Sequence, residues 1–220
     1  QEDLPTMQGG KELSGEYLCL ENAALSPRLM NVMPGEDGYP ATIEITLPAA
    51  MTVIPFGASE AEVVAEHGDG TKTWRYETNR AGGILYAGDY VREEIQAGGL
   101  TIDFYYGRKH QAVMEAAGAA EAVLAVMDYC AGHYGSLAFG DGERLKLIQS
   151  RVAGGGYAGD GASLLDEADF TAHNLGDADK GGGAAEVMIH ELVHQWWGLG
   201  NMFDTADPWS AEGLTCYTTY

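Results

Sequence analysis

The last quarter of the sequence contains the stretch Glu186-Val-Met-Ile-His-Glu-Leu-Val-His-Gln-Trp-Trp-Gly198. Its apolar residues recur with the spacing of a helix that packs against a core. We expect that helix to begin near residue 183 or 184. Because residues four apart lie on one face of a helix, His190 and His194 direct their imidazoles to one point.

Two neutral imidazoles at one point are suited to a zinc ion, and Glu191 lies one step round the helix from His190. The alternative is a surface helix with two solvated histidines, which predicts polar neighbours. The neighbours here are apolar, and a buried histidine needs a partner, which a metal supplies. The apolar neighbours are Val187, Met188, Ile189, Leu192, Val193, Trp196 and Trp197.

A third ligand is needed, because a catalytic zinc site uses three protein ligands and leaves one position open. Glu212 lies near the start of a second predicted helix, which runs from Asp207-Pro208 to the end of the chain. Asp is a good N-cap and Pro is favoured in the first turn. Glu212 is therefore a candidate ligand. The alternative is an ordinary first-turn glutamate that the helix dipole favours.

The first hundred residues predict strands separated by Gly, Pro, Asn and Asp, which is typical of an antiparallel sandwich or curved sheet. The cleanest alternation is Ala41–Leu47. The other predicted strands are 15–20, 51–56, 63–66, 72–77, 83–86, 90–95 and 100–106. The pattern changes near Gly107, so we place a domain boundary at residues 108–110.

The second part of the chain predicts helices and strands together. Residues 111–131 are rich in Ala, Met, Leu and Glu and predict a helix with one apolar face, ended by Gly132 and Gly135. Strands are expected at 145–150 and 162–165, followed by a polar loop at 166–183. The glycine run 154–161 alone is a weak signal, and a flexible surface loop is the alternative to an ordered segment.

The chain of 220 residues is strongly acidic, with 33 Asp and Glu against 12 Lys and Arg and a formal net charge of −21. Too few cations are present to neutralise phosphates, so nucleic acid and anionic membrane surfaces are not expected as partners. No apolar run has the length of a membrane span, so none is expected in this chain.

The motif His190-Glu-Leu-Val-His-Gln-Trp-Trp-Gly198, followed by Trp209-Ser-Ala-Glu-Gly-Leu-Thr-Cys-Tyr217, resembles the gluzincin metallopeptidases of the membrane alanyl aminopeptidase and leukotriene-A4 hydrolase type. Their pattern is His-Glu-x-x-His-Gln-Trp-Phe-Gly, then Glu-Gly-Phe-Ala-x-Tyr. The second His and this Glu are separated by eighteen residues in the family and by 17 here. The resemblance implies one Zn²⁺, the ligands His190, His194 and Glu212, and Glu191 as general base.

The resemblance also implies an α+β fold in two domains. Residues 1–108 resemble the end of the family's N-terminal antiparallel β-sandwich-like domain, through Tyr39-Pro-Ala-Thr-Ile-Glu-Ile-Thr-Leu47. Residues 109–220 correspond to the first part of a thermolysin-like mixed α/β catalytic domain. The family's oxyanion-stabilising tyrosine comes well after the third ligand, and this chain ends eight residues after Glu212. We therefore expect the catalytic domain to be incomplete at its C-terminus.

The glycine run corresponds to the family's Gly-x-Met-Glu-Asn-x-Gly substrate strand, so the resemblance implies substrate binding by Gly154, Gly155, Gly156 and Tyr157. Glu167 matches a further family glutamate. The glutamate that holds the free amino group of a substrate is Ala158 here, and its Asn neighbour is Gly159. Without that carboxylate an ammonium group loses a charge-assisted hydrogen bond. We therefore expect zinc-dependent peptide hydrolysis without the usual amine requirement.

Two alternatives remain. One is a zinc-binding, peptide-binding relative without catalytic activity, which Ala158 favours, and the other is an interaction module whose β-rich part is the working unit. The expected partner of an active enzyme is a peptide or protein substrate. Many family members are secreted or membrane-tethered, so a location outside the cytoplasm is favoured by the resemblance.

Overall fold

The computed structural model describes residues 11–13, 17–20, 40–57, 59–78, 85–97, 100–137, 144–151, 155–159, 161–177, 179, 185–200 and 209–220. The chain forms two compact units, Gln1–Tyr90 and Val91–Tyr220. The domain boundary predicted from the sequence lies at residue 108, directly after the strand Leu100–Gly107. The start of a catalytic domain at residue 109 stays a prediction.

The described residues of the first unit form two antiparallel sheets, of four and three strands. The strands are β1 (Lys11–Leu13), β2 (Tyr17–Leu20), β3 (Ala41–Pro48), β4 (Thr52–Pro55), β5 (Glu62–Glu66), β6 (Thr71–Thr78) and β7 (Leu85–Gly88). Their orders are β1-β2-β7-β4 and β3-β6-β5. Of the predicted strands, residues 15, 16, 83 and 84 lie outside the described part of the chain.

The two sheets of the first unit share one apolar core. Leu18, Val53 and Leu85 come from the four-stranded sheet, and Tyr76 comes from β6 of the other. Along β3 the side chains alternate between half-buried and exposed, as the period of a half-buried strand requires. The described part of this unit therefore has the antiparallel sheets that the sequence predicts.

The second unit is built on a five-stranded mixed sheet in the order β11-β12-β10-β9-β8. The strands are β8 (Tyr90–Ala97), β9 (Leu100–Gly107), β10 (Arg144–Ser150), β11 (Gly156–Gly159) and β12 (Ala162–Asp166). β9, β10 and β12 run parallel, and β11 pairs antiparallel with β12 at the edge. Residues 156–159 of the glycine run therefore form an edge strand and not the flexible loop that was the alternative.

Five α-helices occur in the described part of the second unit. They are α1 (Gln111–Ala117), α2 (Ala119–Tyr134), α3 (Ala172–Gly176), α4 (Glu186–Val193) and α5 (Leu214–Thr219). Single turns of 3₁₀-helix cover Arg108–His110 and Glu167–Asp169, and a π-helical turn covers Trp209–Gly213. Among the described residues, no helix is long and apolar enough to cross a membrane.

Two predictions about helices are wrong in detail. The helix predicted for 111–131 is broken at Gly118, which has a φ of 67° and joins α1 to α2. This left-handed backbone suits glycine and cannot continue an α-helix. α2 then passes through Gly132 and ends before Gly135. The predicted polar loop 166–183 contains α3.

The core of the second unit lies between the mixed sheet and the helices. Phe104, Leu147 and Leu165 come from the sheet, Met127 comes from α2, and Leu192 comes from α4. α4 contacts both β11 and β12, so the helix with the His-Glu-x-x-His motif lies beside the edge of the sheet. The α+β class predicted from the sequence is confirmed, and the sheet places α4 against the glycine-rich strand.

Candidate metal centre

α4 presents both histidines of the motif to one side. Leu192 and Val193 face the core and are fully buried, whereas His190 and His194 are half-buried. His194 is the C-cap of α4, and its amide still donates to the carbonyl of His190 at 3.1 Å. The ring centroids of the two histidines lie 4.7 Å apart. α4 ends at Val193, and its last turn keeps the geometry that the motif needs.

Glu212 reaches α4 because the chain passes close to it at Gly198. Gly198 has a φ of 96°, and a β-carbon there would lie 3.0 Å from Cβ of Ala211. The absence of a side chain at Gly198 therefore lets the π-helical turn that carries Glu212 approach the end of α4. Residues 201–208, which connect the two, lie outside the described part of the chain.

Three possible ligand atoms meet at this place. His190 Nε2 lies 3.1 Å from His194 Nε2, and Oε2 of Glu212 lies 3.4 Å from the first and 3.5 Å from the second. All three side chains belong to the second unit. The structure therefore brings together the three residues named as ligands from the sequence, each with one donor atom toward a common centre.

The spacing of these atoms fits zinc. Zinc–nitrogen bonds of about 2.0–2.1 Å in a tetrahedron place neighbouring ligand atoms about 3.3–3.4 Å apart. The three separations in the structure lie between 3.1 and 3.5 Å. Two nitrogens and one carboxylate oxygen are also the donor set of one well-known class of catalytic zinc sites, which keeps a fourth position open.

The ring of His194 is oriented by contacts on its far side. Its Nδ1 lies 3.1 Å from the carbonyl oxygen of Trp197 and 3.2 Å from Oγ1 of Thr215. A carbonyl can only accept, so Nδ1 donates and the neutral ring keeps the lone pair of Nε2 for a metal. Burial, and then the neighbouring His194, lower the pKa of His190, which also favours its neutral, metal-binding form.

Glu191 is buried, with 5% of its surface exposed, on the side of α4 that faces the sheet. Burial, followed by the negative charge of Glu212, raises the pKa of its carboxyl to about 7. A carboxyl with a pKa near neutral can accept and return a proton under ordinary conditions, which is the requirement for a general base.

Strand β11 lies directly against Glu191. A β-carbon at Gly156 would come closer than 3.0 Å to Cγ, Cδ and Oε1 of Glu191. Because side chains alternate along a strand, Ala158 lies on the same face of β11 as Gly156. The position that holds the amine-binding glutamate in the resembled family thus faces the side of Glu191, and here it carries a methyl group.

Hydrogen bonds attach α4 to the edge of the sheet. The hydroxyl of Ser163 on β12 donates to the carbonyl of Glu191 at 3.3 Å. The side-chain amide of Gln195 donates to Oγ of Ser163 at 3.2 Å and to the carbonyl of Gly159 at 3.5 Å. Both Ser163 and Gln195 are fully buried. These bonds fix the distance between the histidine-bearing helix and β11.

The remaining predicted site residues are placed differently. Gly154 lies outside the described residues. Gly155 precedes β11 with a φ of 99°, and Tyr157 is 56% exposed on the face of β11 opposite Gly156. Sequence reasoning missed Thr215, although it lies three residues after Glu212 and therefore on a similar side of its helix. Tyr217, where the family often has Tyr, is 80% exposed.

Comparison with protein-family models gives no match, and comparison with curated proteins gives none either. Among solved structures, a mutant of a two-domain M1 zinc metallopeptidase bound to L-arginine is similar, with a TM-score of 0.52 and 19% identity. The similarity covers 84% of this chain and 40% of that chain. At this identity the likeness shows the fold, and the present chain spans less than half the length of that peptidase.

Proposed function

We propose that this chain belongs to a zinc-dependent peptidase, in which His190, His194 and Glu212 hold one Zn²⁺ and Glu191 is the general base. The main support for the proposal is the set of three separations between ligand atoms, 3.1, 3.4 and 3.5 Å, which suit tetrahedral coordination of one ion. The similarity in fold to an M1 zinc metallopeptidase supports the same conclusion.

A zinc ion held there supplies Lewis-acid chemistry, which lowers the pKa of water and polarises a carbonyl group. The carboxylate of Glu191 takes a proton from the attacking water and delivers it to the leaving amine. Its burial beside β11 keeps the carboxylate near the ligand cluster and raises its basicity, because desolvation disfavours the charged form.

Strand β11 binds the substrate in this proposal. It is the edge of the mixed sheet, so an extended peptide can add to it as a further strand through backbone hydrogen bonds. Gly155, Gly156 and Tyr157 supply that backbone, together with Gly154. Gly156 lies against Glu191, so a peptide paired with this strand would lie near the proposed base.

The substrate is a peptide whose amino terminus is not required. Ala158 offers a methyl group on the face of β11 where the resembled family has a carboxylate, so a substrate ammonium group gains no ion pair from this residue. Peptides with blocked amino termini and internal peptide bonds are therefore as suitable as free termini. Ala158 also favours the alternative function, in which the chain binds zinc and peptides without cleaving them.

The test combines metal analysis with a peptide panel. We expect one equivalent of zinc in the purified chain, and its loss in a Glu212→Ala variant. Paired peptides with free and acetylated amino termini should then be hydrolysed at similar rates. Zinc binding without hydrolysis of any peptide would favour the inactive alternative, and absence of bound zinc would exclude both. A strict need for a free amine would contradict the role given to Ala158.

A further inference from the structure

Two neighbouring glycines at the start of β11 are needed for different physical reasons. Gly155 has a φ of 99°, a backbone conformation that side chains disfavour, and a β-carbon there would meet nothing within 4 Å. Gly156 lies outside this left-handed region and within the strand, so its backbone accepts any residue. Only the lack of space beside Gly156 opposes a side chain at this position.

The space beside Gly156 is filled by the carboxylate end of Glu191. A β-carbon on Gly156 would come closer than 3.0 Å to Cγ, Cδ and Oε1 of that side chain. These atoms belong to a side chain with rotatable bonds, whereas the strand and α4 are held by the bonds of Ser163 and Gln195. An added methyl group would therefore move the carboxylate of Glu191, and the backbone would stay in place.

We propose that Gly156 is a positioning residue for Glu191. The missing side chain creates the recess in which the carboxylate lies, between β11 and the helix that carries His190 and His194. The functional consequence rests on the proposed zinc peptidase activity, but the packing relationship does not. The three heavy atoms nearest to that β-carbon all belong to Glu191, so a substitution at 156 acts first on the base.

The packing is tested first in the metal-free chain by a double-mutant cycle of thermal stability with Gly156→Ala and Glu191→Ala. In the Glu191→Ala background the recess is empty, so alanine at 156 should raise the melting temperature by roughly 1–4 °C through the lower entropy of the unfolded chain. With Glu191 present, Gly156→Ala should lower it or leave it unchanged. Gly155→Ala is the matched control, because its strain comes from the backbone and should be the same in both backgrounds.

The consequence for catalysis is tested in the zinc-loaded chain. Gly156→Ala should bind one equivalent of zinc, keep KM within about threefold and lose at least tenfold in kcat, since displacement of a general base by about an ångström is costly. Gly132→Ala is the activity control. Gly132 lies on the exposed side of α2, where a β-carbon meets nothing within 4 Å.

Equal shifts of the melting temperature by Gly156→Ala in the two backgrounds would overturn the proposal, and so would an unchanged kcat. If the wild-type chain binds no zinc or hydrolyses no peptide, the proposed function fails. The stability cycle then still decides whether Gly156 holds Glu191, because it needs neither metal nor substrate.

Discussion

The hydroxyl of Thr215 lies 3.2 Å from Nδ1 of His194, and it joins the helix after Glu212 to the ring of a candidate zinc ligand. Thr215 is fully buried. The same nitrogen lies 3.1 Å from the carbonyl of Trp197, so His194 has two oxygen partners on the side away from the ligand cluster. Such partners fix the orientation and tautomer of a metal-binding histidine and raise its basicity.

Substitution Thr215→Val should weaken zinc binding without unfolding the chain. Valine keeps the shape and removes the hydroxyl, so one of the two partners of His194 is lost. We expect the zinc affinity to fall by about 10-fold, the lower end of the range for such contacts, because the Trp197 carbonyl remains. Competition with a chromophoric chelator measures it.

Thr101→Val is the control for this substitution. Thr101 lies on β9, and its hydroxyl pairs with the side chain of Gln96. Its removal should leave the zinc affinity within about twofold of wild type. An unchanged affinity in Thr215→Val would show that the Trp197 carbonyl alone orients the ring of His194.

Substitution Glu191→Gln should separate zinc binding from turnover. The amide has the shape of the carboxyl and cannot accept the proton of the attacking water, so kcat should fall by roughly 10²–10⁴-fold. Glu191 is not one of the three residues whose donor atoms converge, and the zinc stoichiometry should stay at one. Glu115→Gln on α1 is the control, since Glu115 pairs with Gln111 and not with the ligand residues. Full activity in Glu191→Gln would exclude Glu191 as the base.

The raised pKa of Glu191 predicts a pH dependence of stability in the metal-free chain. Its pKa is raised from 4.5 to about 7 in the folded state, chiefly by burial. Between these values the folded chain holds a proton that the unfolded chain releases, so the free energy of unfolding falls as the pH rises. The contribution is fully present below about pH 4.5 and is lost above about pH 7.

The measurement is urea unfolding of metal-free wild type and Glu191→Gln across this range. The difference in free energy of unfolding, wild type minus variant, should fall by about 3 kcal/mol between pH 4.5 and 7.5, from about 1.4 kcal/mol per pKa unit. Glutamine cannot titrate, so the variant lacks this component. Parallel pH profiles of the two proteins would contradict the raised pKa.

Asp103 on β9 predicts a stability effect away from the metal centre. Its carboxylate is fully buried and accepts from Nε of Arg92 and Nε of Arg144, both at 2.9 Å. Asp103→Asn leaves two guanidinium groups without their common anion. Because both arginines are partly exposed, we expect a loss of about 2–4 kcal/mol, near the lower end for broken buried pairs.

Urea unfolding checks the Asp103→Asn prediction, with Glu44→Gln as the matched control. Glu44 pairs with Arg75 across β3 and β6, and both side chains are about half exposed. Removal of that ion pair should cost less than about 1 kcal/mol. Similar losses in the two variants would mean that the burial of Asp103 adds nothing to its pairing.

Much of the candidate metal centre was predictable because metal-binding chemistry constrains local sequence. The four-residue spacing of His190 and His194 fixes their common face, and the apolar neighbours predict burial of the helix. Glu212 was found from its place in a following helix. Thr215 was missed because a single threonine carries no pattern, and its contact with His194 depends on how two helices meet.

The pairing of strands was harder to predict from the sequence than the metal-binding motif. Period-two alternation tells which side of a strand is buried, but not which strand lies beside it. β8 and β9 were therefore assigned to the β-rich part of the sequence, whereas β9 pairs with β10 across more than 30 residues of intervening chain. The glycine run alone was likewise a weak signal, and the recess for Glu191 at Gly156 depends on the position of α4.

Substitution Ala158→Glu should give the chain a preference for free amino termini. Position 158 shares a face of β11 with Gly156, which touches Glu191, so a glutamate there projects toward the proposed site of cleavage. A carboxylate at this place can form a charge-assisted hydrogen bond with a substrate ammonium group. In the wild type we expect kcat/KM for free and acetylated peptides to agree within about threefold. In Ala158→Glu the kcat/KM for the free peptide should rise roughly 10-fold or more over that for the acetylated one, since such bonds contribute about 1.5–3 kcal/mol.

Ala158→Gln is the control for this substitution, because glutamine has the same size without the charge and should show no preference. If both variants discriminate equally, the effect is steric, and position 158 has no electrostatic role in selecting the substrate.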